Sequence, residues 1–315
     1  MKSITNRETK GIIFAGCSFT WGQGLYYYSN LSTLKEPEKW LYNYSLVKRT
    51  HIEYMKSVRF PRLVANYFNT FELLHINNGG SHQSIISWWN NCFKSNYDKN
   101  HQINLIDYTD ISHLVFQCTQ WHRNYFEFEY DGKKYDIACA QAYSEPYASI
   151  FSKWLIEQNL TLSDWESFHK KNNIDMVKTF LKEIESHNIK TIIFTWPEEN
   201  VDYIKSDEWL NSRFMTIDYK NKTYNSMEEL MWFSDSTSDF PNKDTINYDV
   251  NRANKELIIN LDYENFKITP SDEHPSLMCH KVIADNLIEY LNTNMKSIEI
   301  KETKNKKLVY ETKFI

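Results

Sequence analysis

Glycine is scarce in this sequence, which has 7 glycines in 315 residues. Four of the seven stand in one stretch, GIIFAGCSFTWGQG, at positions 11–24. Glycine permits backbone angles and close approaches that other residues do not. Its concentration in a single loop therefore indicates that the shape of this loop matters.

Cysteines are few, and long apolar runs are missing. The five cysteines form no CxxC pair and no regular spacing, which argues against a disulfide framework and is typical of a reducing compartment. The opening MKSITNRETK lacks the apolar core of a secretory signal, and no apolar run approaches the roughly 18 residues that a membrane span needs. These absences predict a cytoplasmic protein with no membrane partner, with association with a virion as the alternative.

The charge is weak and slightly negative, with a formal net value of −5. The basic residues form one short run, KETKNKK, near the C-terminus, so electrostatic binding to nucleic acid is not expected. Aromatic residues are abundant at 16%, and flat amphipathic rings suit carbohydrate ligands. Coding by AT-rich DNA is the alternative reason for this composition.

Short apolar runs alternate with helical patterns along the chain, which predicts an α/β sheet with helices on both faces. The predicted buried strands are GIIFAG (11–16), FELLHI (71–76), HLVFQCT (113–119) and KTIIFTWP (190–197). The predicted helices are MKSVRFPRLVANYF, interrupted near Pro61, SHQSIISWWNNCF from Ser81, IDMVKTFLKEIESHN and SLMCHKVIADNLIEYL.

The sequence contains no internal repeat and no low-complexity linker, which predicts one domain over residues 1–295. Stretches without a clear period are interpreted as insertions at about 25–55, 121–150 and 200–262. The Asp131-Gly132 pair predicts a hairpin in the second of them. Residues 296–315 are interpreted as a C-terminal hairpin or tail.

Residues of one reaction type follow the predicted strands. Ligands of an open parallel sheet bind beyond the carboxyl ends of its strands. Ser18 follows the first strand at a tight turn, and His274 stands beside Asp272 and Glu273 ahead of the last long helix. A serine becomes a nucleophile when a neighbouring base takes its proton, and that base must be oriented. Backbone N–H groups at Ser18 and in the Gly79-Gly80 turn would stabilise an oxyanion, so the chain carries the components of acyl transfer.

Three blocks of the sequence resemble those of the SGNH (GDSL-like) hydrolase superfamily of esterases, lipases and carbohydrate O-acyl esterases. They are Gly16-Cys17-Ser18-Phe19-Thr20, the glycine block NNGGSHQS, and SDEHPSLMCHKVIADNL before the C-terminal helix. The resemblance covers the framework from about residue 10 to residue 292. It implies a flavodoxin-like three-layer α/β/α fold with a mainly parallel sheet and inserted excursions.

The resemblance also implies a role for each matching residue. Ser18 would be the nucleophile and its N–H the first oxyanion donor, with Gly80 as the second donor. His274 would be the general base and then the acid for the leaving alcohol. Asp272 would orient the imidazole. Its Asp-x-His spacing differs from the commoner Asp-x-x-His, so Glu273 is an alternative orienting residue.

One block departs from the family pattern. The third oxyanion donor is usually the asparagine of a G-x-N-D block after the third strand, and this chain has FQCTQWHR there. Gln117 or Thr119 is expected to substitute for it. His82 is expected to contact substrate, with a role at the helix start as the alternative. Arg123 is expected to bind an anionic group of the substrate, with a solvated or ion-paired side chain as the alternative.

The predicted function is hydrolysis of an ester without a cofactor, and the expected substrate is an O-acetyl or other acyl ester of a small molecule or carbohydrate. His274, Cys279 and His280 are clustered, but their spacing matches no familiar zinc pattern, so no metal is expected. Two alternatives keep the same fold. One is a catalytically inactive carbohydrate-binding or virion-associated structural module, and the other is an acyltransferase.

Overall fold

A computed structural model of the chain describes residues 10–22, 25, 49–75, 80–93, 108–232, 274–275, 277–294 and 310–311. In chain order the strands are β1 Gly11–Ala15, β2 Glu72–Leu74, β3 Ile111–Cys118, β4 Tyr125–Tyr130, β5 Lys133–Ala138, β6 Lys190–Thr195, β7 Ile217–Tyr219, β8 Lys222–Tyr224 and β9 Tyr310–Glu311. The α-helices are α1 Ser18–Trp21, α2 Arg49–Val58, α3 Phe60–Tyr67, α4 His82–Phe93, α5 Tyr147–Glu157, α6 Leu162–Ser186, α7 Val201–Ser206, α8 Glu208–Asn211, α9 Met227–Trp232 and α10 Leu277–Asn294.

The central sheet has the order β6-β3-β1-β2-β9, and each neighbouring pair in it is parallel. Ala15 of β1 lies opposite Phe116 of β3, and Phe14 lies opposite Leu74 of β2. The four predicted buried strands are therefore confirmed, each within about two residues of its expected ends. A parallel sheet with helices on both faces is the predicted α/β architecture.

Successive residues of β1 point to opposite faces of the sheet, as strand geometry requires. Ile12 and Phe14 pack on one face with residues of α3 and α10. Ile13 and Ala15 pack on the other face with residues of α4 and α6. Because both faces are covered, the strands are largely apolar, and each fully buried Ile or Phe side chain contributes roughly 1.5–3 kcal/mol.

The helical pattern around Pro61 divides into two helices. The break falls at Arg59, and α3 then starts at Phe60 with the proline in its first turn. A proline there loses no intrahelical hydrogen bond, because the first N–H groups of a helix have no partner within it. The preceding helix α2 lies mostly within the stretch interpreted as an excursion at about 25–55.

The second predicted insertion contains the expected hairpin. Strands β4 and β5 pair antiparallel, and both turn residues have positive φ, 50° at Asp131 and 67° at Gly132. The hairpin packs with α5 and the start of α6 around a separate, mostly aromatic core. Its fully packed members are Trp121, Phe126, Phe128, Ile137, Cys139, Ala142, Phe151, Leu155 and Trp165.

The described part of the third predicted insertion belongs to the main core. Residues 213–215 run along the free edge of β6, where Ile193 bonds the Arg213 carbonyl and the Met215 amide. Ile217, Tyr224 and other apolar residues that follow pack on the α10 face of the sheet.

Near the C-terminus, β9 pairs parallel to β2. The boundaries of the predicted domain stay a prediction. Among the described helices, none is long and apolar enough to cross a membrane.

Candidate functional site

The carboxyl ends of the parallel strands meet at one edge of the sheet. Ser18 lies three residues beyond β1, Thr119 follows β3, and Trp196 follows β6. Gly80 lies six residues beyond β2 and just ahead of α4. The fold therefore gathers at one edge the segments that the sequence singled out.

Ser18 and His274 are in direct contact at this edge. The Oγ atom of Ser18 lies 2.8 Å from Nε2 of His274, although 256 positions separate the two residues. His274 stands three residues before α10, and Ser18 is the first residue of α1 and is buried. With the imidazole proton on Nδ1, the Ser18 hydroxyl donates to Nε2, which is the geometry of a nucleophile and its base.

Phe19 packs against the imidazole of His274, and Trp196 packs against Phe19. The ring of Phe19 meets that of His274 edge-on, with 4.7 Å between centroids and an interplanar angle of 75°. Trp196 packs on Phe19 at 4.3 Å. Edge-to-face contacts of this kind favour one ring orientation. The residue after Ser18 thus helps to position the ring of His274.

Gln117 binds the turn that carries Ser18 through its side-chain oxygen. Its Oε1 atom accepts hydrogen bonds from the backbone N–H of Cys17 at 3.2 Å and from the hydroxyl of Thr20 at 2.7 Å. Its Nε2 atom donates to Sδ of Met227 at 3.1 Å. The side chain is fully buried, and its donor end faces away from the turn. The expectation that Gln117 donates to the oxyanion is therefore replaced by a supporting role.

The absence of a side chain at Gly16 lets Thr20 and Gln117 lie close to its backbone. A Cβ atom at this position would lie 2.1 Å from Oγ1 of Thr20 and 2.5 Å from Oε1 of Gln117. The Gly16 carbonyl also lies 2.8 Å from Nδ1 of His75, which is buried and has its pKa lowered to about 4 by desolvation. That ring is neutral near pH 7, so its Nδ1–H donates to the carbonyl. The close packing of Thr20 and Gln117 at Gly16 and the hydrogen bond from His75 together fix the turn that carries Ser18.

His82 is fully buried, and both of its ring nitrogens are used by protein groups. Nδ1 lies 2.7 Å from Oδ1 of Asn173, and Nε2 accepts the backbone N–H of Thr119 at 2.8 Å. Desolvation lowers the pKa of His82 to about 4, and its ring stacks on Phe116. No ring nitrogen is left for a ligand, so the expected substrate contact is replaced by a link between the start of α4 and the end of β3.

Thr119 and Gly80 were expected to donate hydrogen bonds to an oxyanion, and their surroundings differ. The backbone N–H of Thr119 is used by His82, while its hydroxyl is buried and has no hydrogen-bond partner among the described residues. Gly80 is buried directly before Ser81, which is also buried and accepts the N–H of Ser84 on its hydroxyl. Oxyanion binding by Ser18, Gly80 and Thr119 stays a prediction.

Arg123 ends the 3₁₀ turn Trp121–Arg123 that follows β3, and it is partly buried. Its Nη1 atom is buried and has no hydrogen-bond partner in the described part of the chain. The positive charge contributes to the lowered pKa of both His82 and His122, so the guanidinium lies near both rings. Anion binding by Arg123 is consistent with this environment and stays a prediction.

Asp272 and Glu273 lie outside the described residues, so the orienting carboxylate stays a prediction. Cys279 and His280 are buried on α10, and Nδ1 of His280 accepts the backbone N–H of Phe60. Within the described ranges, no group of three histidine, cysteine or acidic residues is arranged to hold a metal ion.

Sequence reasoning did not identify the roles of Trp196, His75 and Thr20. The position of Trp196 directly after β6 is a usable signal, since it places the ring at the ligand-binding edge. The contacts of His75 and Thr20 depend on how separate strands pack, and no local pattern announces them.

These features define a parallel α/β/α protein with a serine–histidine pair at the carboxyl edge of its sheet. No protein-family model matches the chain, and no curated protein matches it. Among solved structures, it is similar to an acetyl xylan esterase (Est2A) from the rumen bacterium Butyrivibrio proteoclasticus, with 13% identity and a TM-score of 0.45. The match covers 92% of this chain and 66% of that protein, so the chain spans slightly less than two thirds of its length.

Proposed function

We propose that the protein is a serine esterase of the SGNH type that removes acyl groups, O-acetyl groups in particular, from carbohydrate. The observation that carries this proposal is the 2.8 Å contact between Ser18 Oγ and His274 Nε2 at the ligand-binding edge of a parallel sheet. A hydroxyl in hydrogen-bond contact with an imidazole is the arrangement that makes serine nucleophilic. The buried contacts of Gly16 and Gln117 support the same proposal, because they hold the serine turn in one conformation.

The proposed reaction proceeds through an acyl-enzyme. His274 takes the proton of Ser18 while Oγ attacks the acyl carbon, and the backbone N–H groups of Ser18 and Gly80 bind the resulting oxyanion. The bond to the alcohol breaks as His274 returns its proton to the leaving oxygen. Water then attacks the acyl group, His274 takes a proton from this water, and Ser18 is released with that proton. Asp272 orients the imidazole in this scheme, and Glu273 is its alternative.

Replacement of the nucleophile tests the proposal. Ser18→Ala should lower kcat on p-nitrophenyl acetate by at least about 10⁴-fold, because no other hydroxyl replaces the attacking group. Labelling by a fluorophosphonate probe should disappear with it. The matched control is Ser212→Ala, since Ser212 is exposed and its hydroxyl bonds the Trp209 carbonyl at a helix end. Wild-type turnover in Ser18→Ala, with an unchanged far-UV circular dichroism spectrum, would contradict the assignment.

The same assays decide the remaining alternatives. Labelling of Ser18 argues against a catalytically inactive module, whereas sugar binding without labelling supports one. Acyl transfer is detected by product analysis in the presence of an added alcohol. The orienting carboxylate is the one whose amide variant, Asp272→Asn or Glu273→Gln, lowers kcat.

A further inference from the structure

The backbone of Trp196 is bonded on both sides at the point where β6 ends. Its N–H donates to the Cys118 carbonyl at the end of β3, at 3.0 Å, and its carbonyl accepts the N–H of Glu228 at 2.9 Å. Pro197 follows, and a residue before proline is restricted to extended conformations. The Trp196 backbone is therefore held by β3 on one side and by the first turn of α9 on the other.

The next two peptide groups are bonded as well. The Pro197 carbonyl accepts the hydroxyl of Thr195 at 2.9 Å, and the N–H of Glu198 donates to Oε2 of Glu228 at 3.0 Å. Glu228 thus holds this segment by its backbone and by its side chain. Because proline has no N–H, every backbone donor and acceptor from the N–H of Trp196 to the N–H of Glu198 has a partner. Breaking any of these bonds costs free energy, which favours one conformation of the segment.

This fixed segment carries a ring that packs behind the imidazole. The rings of Trp196 and Phe19 are 4.3 Å apart between centroids at an angle of 65°, and those of Phe19 and His274 are 4.7 Å apart at 75°. Both are edge-to-face contacts, which depend on the angle between the rings as well as on their distance. Phe19 is buried, so its ring orientation is set by the groups that it contacts. A contiguous row of contacts therefore joins the end of β6 to His274.

We infer that Trp196 is a positioning residue for the imidazole of His274, on which it acts through Phe19. The hydroxyl of Ser18 lies 2.8 Å from Nε2 of His274, and a rotation of the imidazole would lengthen this bond. A displacement of about 1 Å at a reacting group lowers the rate about 10²-fold. The inference rests on the proposed function, because the pair of side chains that Trp196 positions is the reacting pair of the proposed esterase.

Removal and partial restoration of the ring test this role. Trp196→Ala should lower kcat on p-nitrophenyl acetate about 10²-fold with KM nearly unchanged, because the imidazole loses its support while the ester keeps its binding contacts. Trp196→Phe retains an aromatic ring and should recover at least about 10-fold of this loss. The matched control is Trp209→Ala, since Trp209 is also partly buried but packs on the opposite face of the sheet. Its kcat should equal that of the wild type.

A spectroscopic measurement follows the ring contact without catalysis. In protein with ¹³C-labelled phenylalanine and histidine, a nuclear Overhauser effect should join the ring protons of Phe19 and His274. It should fall at least about 2-fold in Trp196→Ala and return in Trp196→Phe, because the edge-to-face geometry depends on the ring behind Phe19.

A second pair of variants loosens the segment and leaves the ring in place. Glu228→Ala removes the acceptor of the Glu198 N–H, and it should lower both kcat and the Overhauser effect in the same direction as Trp196→Ala, by a smaller factor. Glu228→Gln keeps an oxygen that accepts this N–H and should match the wild type. If Trp196→Ala does not fold in a urea titration, this pair decides, and equal values in Glu228→Ala and the wild type overturn the inference.

The kinetics of folded Trp196→Ala decide between positioning and direct contact with the substrate. An unchanged kcat overturns the inference, and so does a rise in KM alone, which would make Trp196 a substrate contact. An inactive wild type contradicts the esterase instead. In that case the loss of the Phe19–His274 Overhauser effect in Trp196→Ala still shows that Trp196 positions the imidazole, and an unchanged effect overturns it.

Discussion

A buried amide side chain has an acceptor end and a donor end, and its neighbours decide which end faces a reactive group. The acceptor end of Gln117 faces the serine turn and binds both Cys17 and Thr20. Its donor end is directed to Met227. Gln117 therefore bonds the turn that carries Ser18, and in the proposed esterase it would act as a positioning residue through that turn.

Removal of this acceptor should slow the reaction with little effect on substrate binding. Gln117→Leu leaves the N–H of Cys17 and the hydroxyl of Thr20 without their partner, at a cost of about 1–3 kcal/mol in folding free energy. We expect kcat on p-nitrophenyl acetate to fall about 10²-fold with KM nearly unchanged, since a displacement of about 1 Å at a reacting group has this effect. Steady-state kinetics and the rate of fluorophosphonate labelling measure it.

Gln117→Glu is the conservative variant, because it keeps an oxygen directed at the turn. It should retain more activity than Gln117→Leu at the same fraction of folded protein, which urea titration determines. If the two variants match the wild type in kcat, Gln117 has no positioning role.

Single residues were predictable where a local motif surrounds them. Ser18 and His274 were named from their flanking blocks, and they lie together in the fold. Gln117 was named as an oxyanion donor and His82 as a substrate contact or a helix-start residue, and both side chains bond protein groups. The direction of a side-chain amide or the partners of an imidazole depend on residues distant in the chain, and these leave no mark on the local sequence.

The β4–β5 hairpin contains a turn whose glycine is required for its backbone angle alone. Gly132 has φ 67°, and a Cβ atom there would meet nothing within 4 Å. Gly16 is the opposite case, because its Cβ would collide with Thr20 and Gln117. A substitution at Gly132 therefore tests backbone strain alone, whereas a substitution at Gly16 tests steric exclusion.

Gly132→Ala should lower the free energy of unfolding by about 1 kcal/mol, the typical cost of a left-handed conformation for a residue with a Cβ. Activity should persist, because the change is confined to the hairpin turn. Gly16→Ala should abolish activity under the same conditions. Urea unfolding followed by tryptophan fluorescence measures the first effect, and a loss above about 3 kcal/mol in Gly132→Ala would show that the turn does more than reverse the chain.

Elements with a strong period were predictable, and irregular ones were not. Strands β1, β3 and β6 each contain a run of three or more apolar residues, which suits a sheet covered on both faces. The first part of helix α2 was missed, because the predicted helix began at Met55 and the residues before it were interpreted as an excursion without a clear period. The chain from 201 to 232 is short helices and a hairpin, too brief for a period to develop.

The whole molecule contains several histidines that burial keeps neutral. Desolvation lowers the pKa of His75, His82 and His113 to about 4 and that of His280 to about 3. Neighbouring positive charges add to the effect, as Lys190 does for His113 and Arg59 for His280. Protonation of these rings is therefore more favourable in the unfolded chain, where the pKa is about 6.5.

This difference predicts a loss of stability in mild acid. The folded pKa values are depressed, so the unfolded state binds more protons below pH 6.5 and the free energy of unfolding falls as pH decreases from 6.5 towards 4. At pH 5 each of these histidines lowers the free energy of unfolding by roughly 2 kcal/mol. Urea titrations at pH 7, 6 and 5 measure the fall, and this window lies above the ordinary pKa of carboxylates. Equal unfolding free energies at pH 7 and pH 5 would contradict the assignment of neutral buried rings.

The amino-acid sequence by itself determined the strands, the periodic helices and the Asp131-Gly132 turn, because each is marked by a local pattern: an apolar run, a helical period or a pair of turn residues. It also marked the blocks around Ser18 and His274. Only the tertiary structure decided that these two side chains meet, that Gln117 turns its oxygen to the serine loop, and that His82 is enclosed. The physical reason is that a parallel sheet brings together the ends of strands far apart in sequence, and each side chain then takes the partners that this packing leaves within reach.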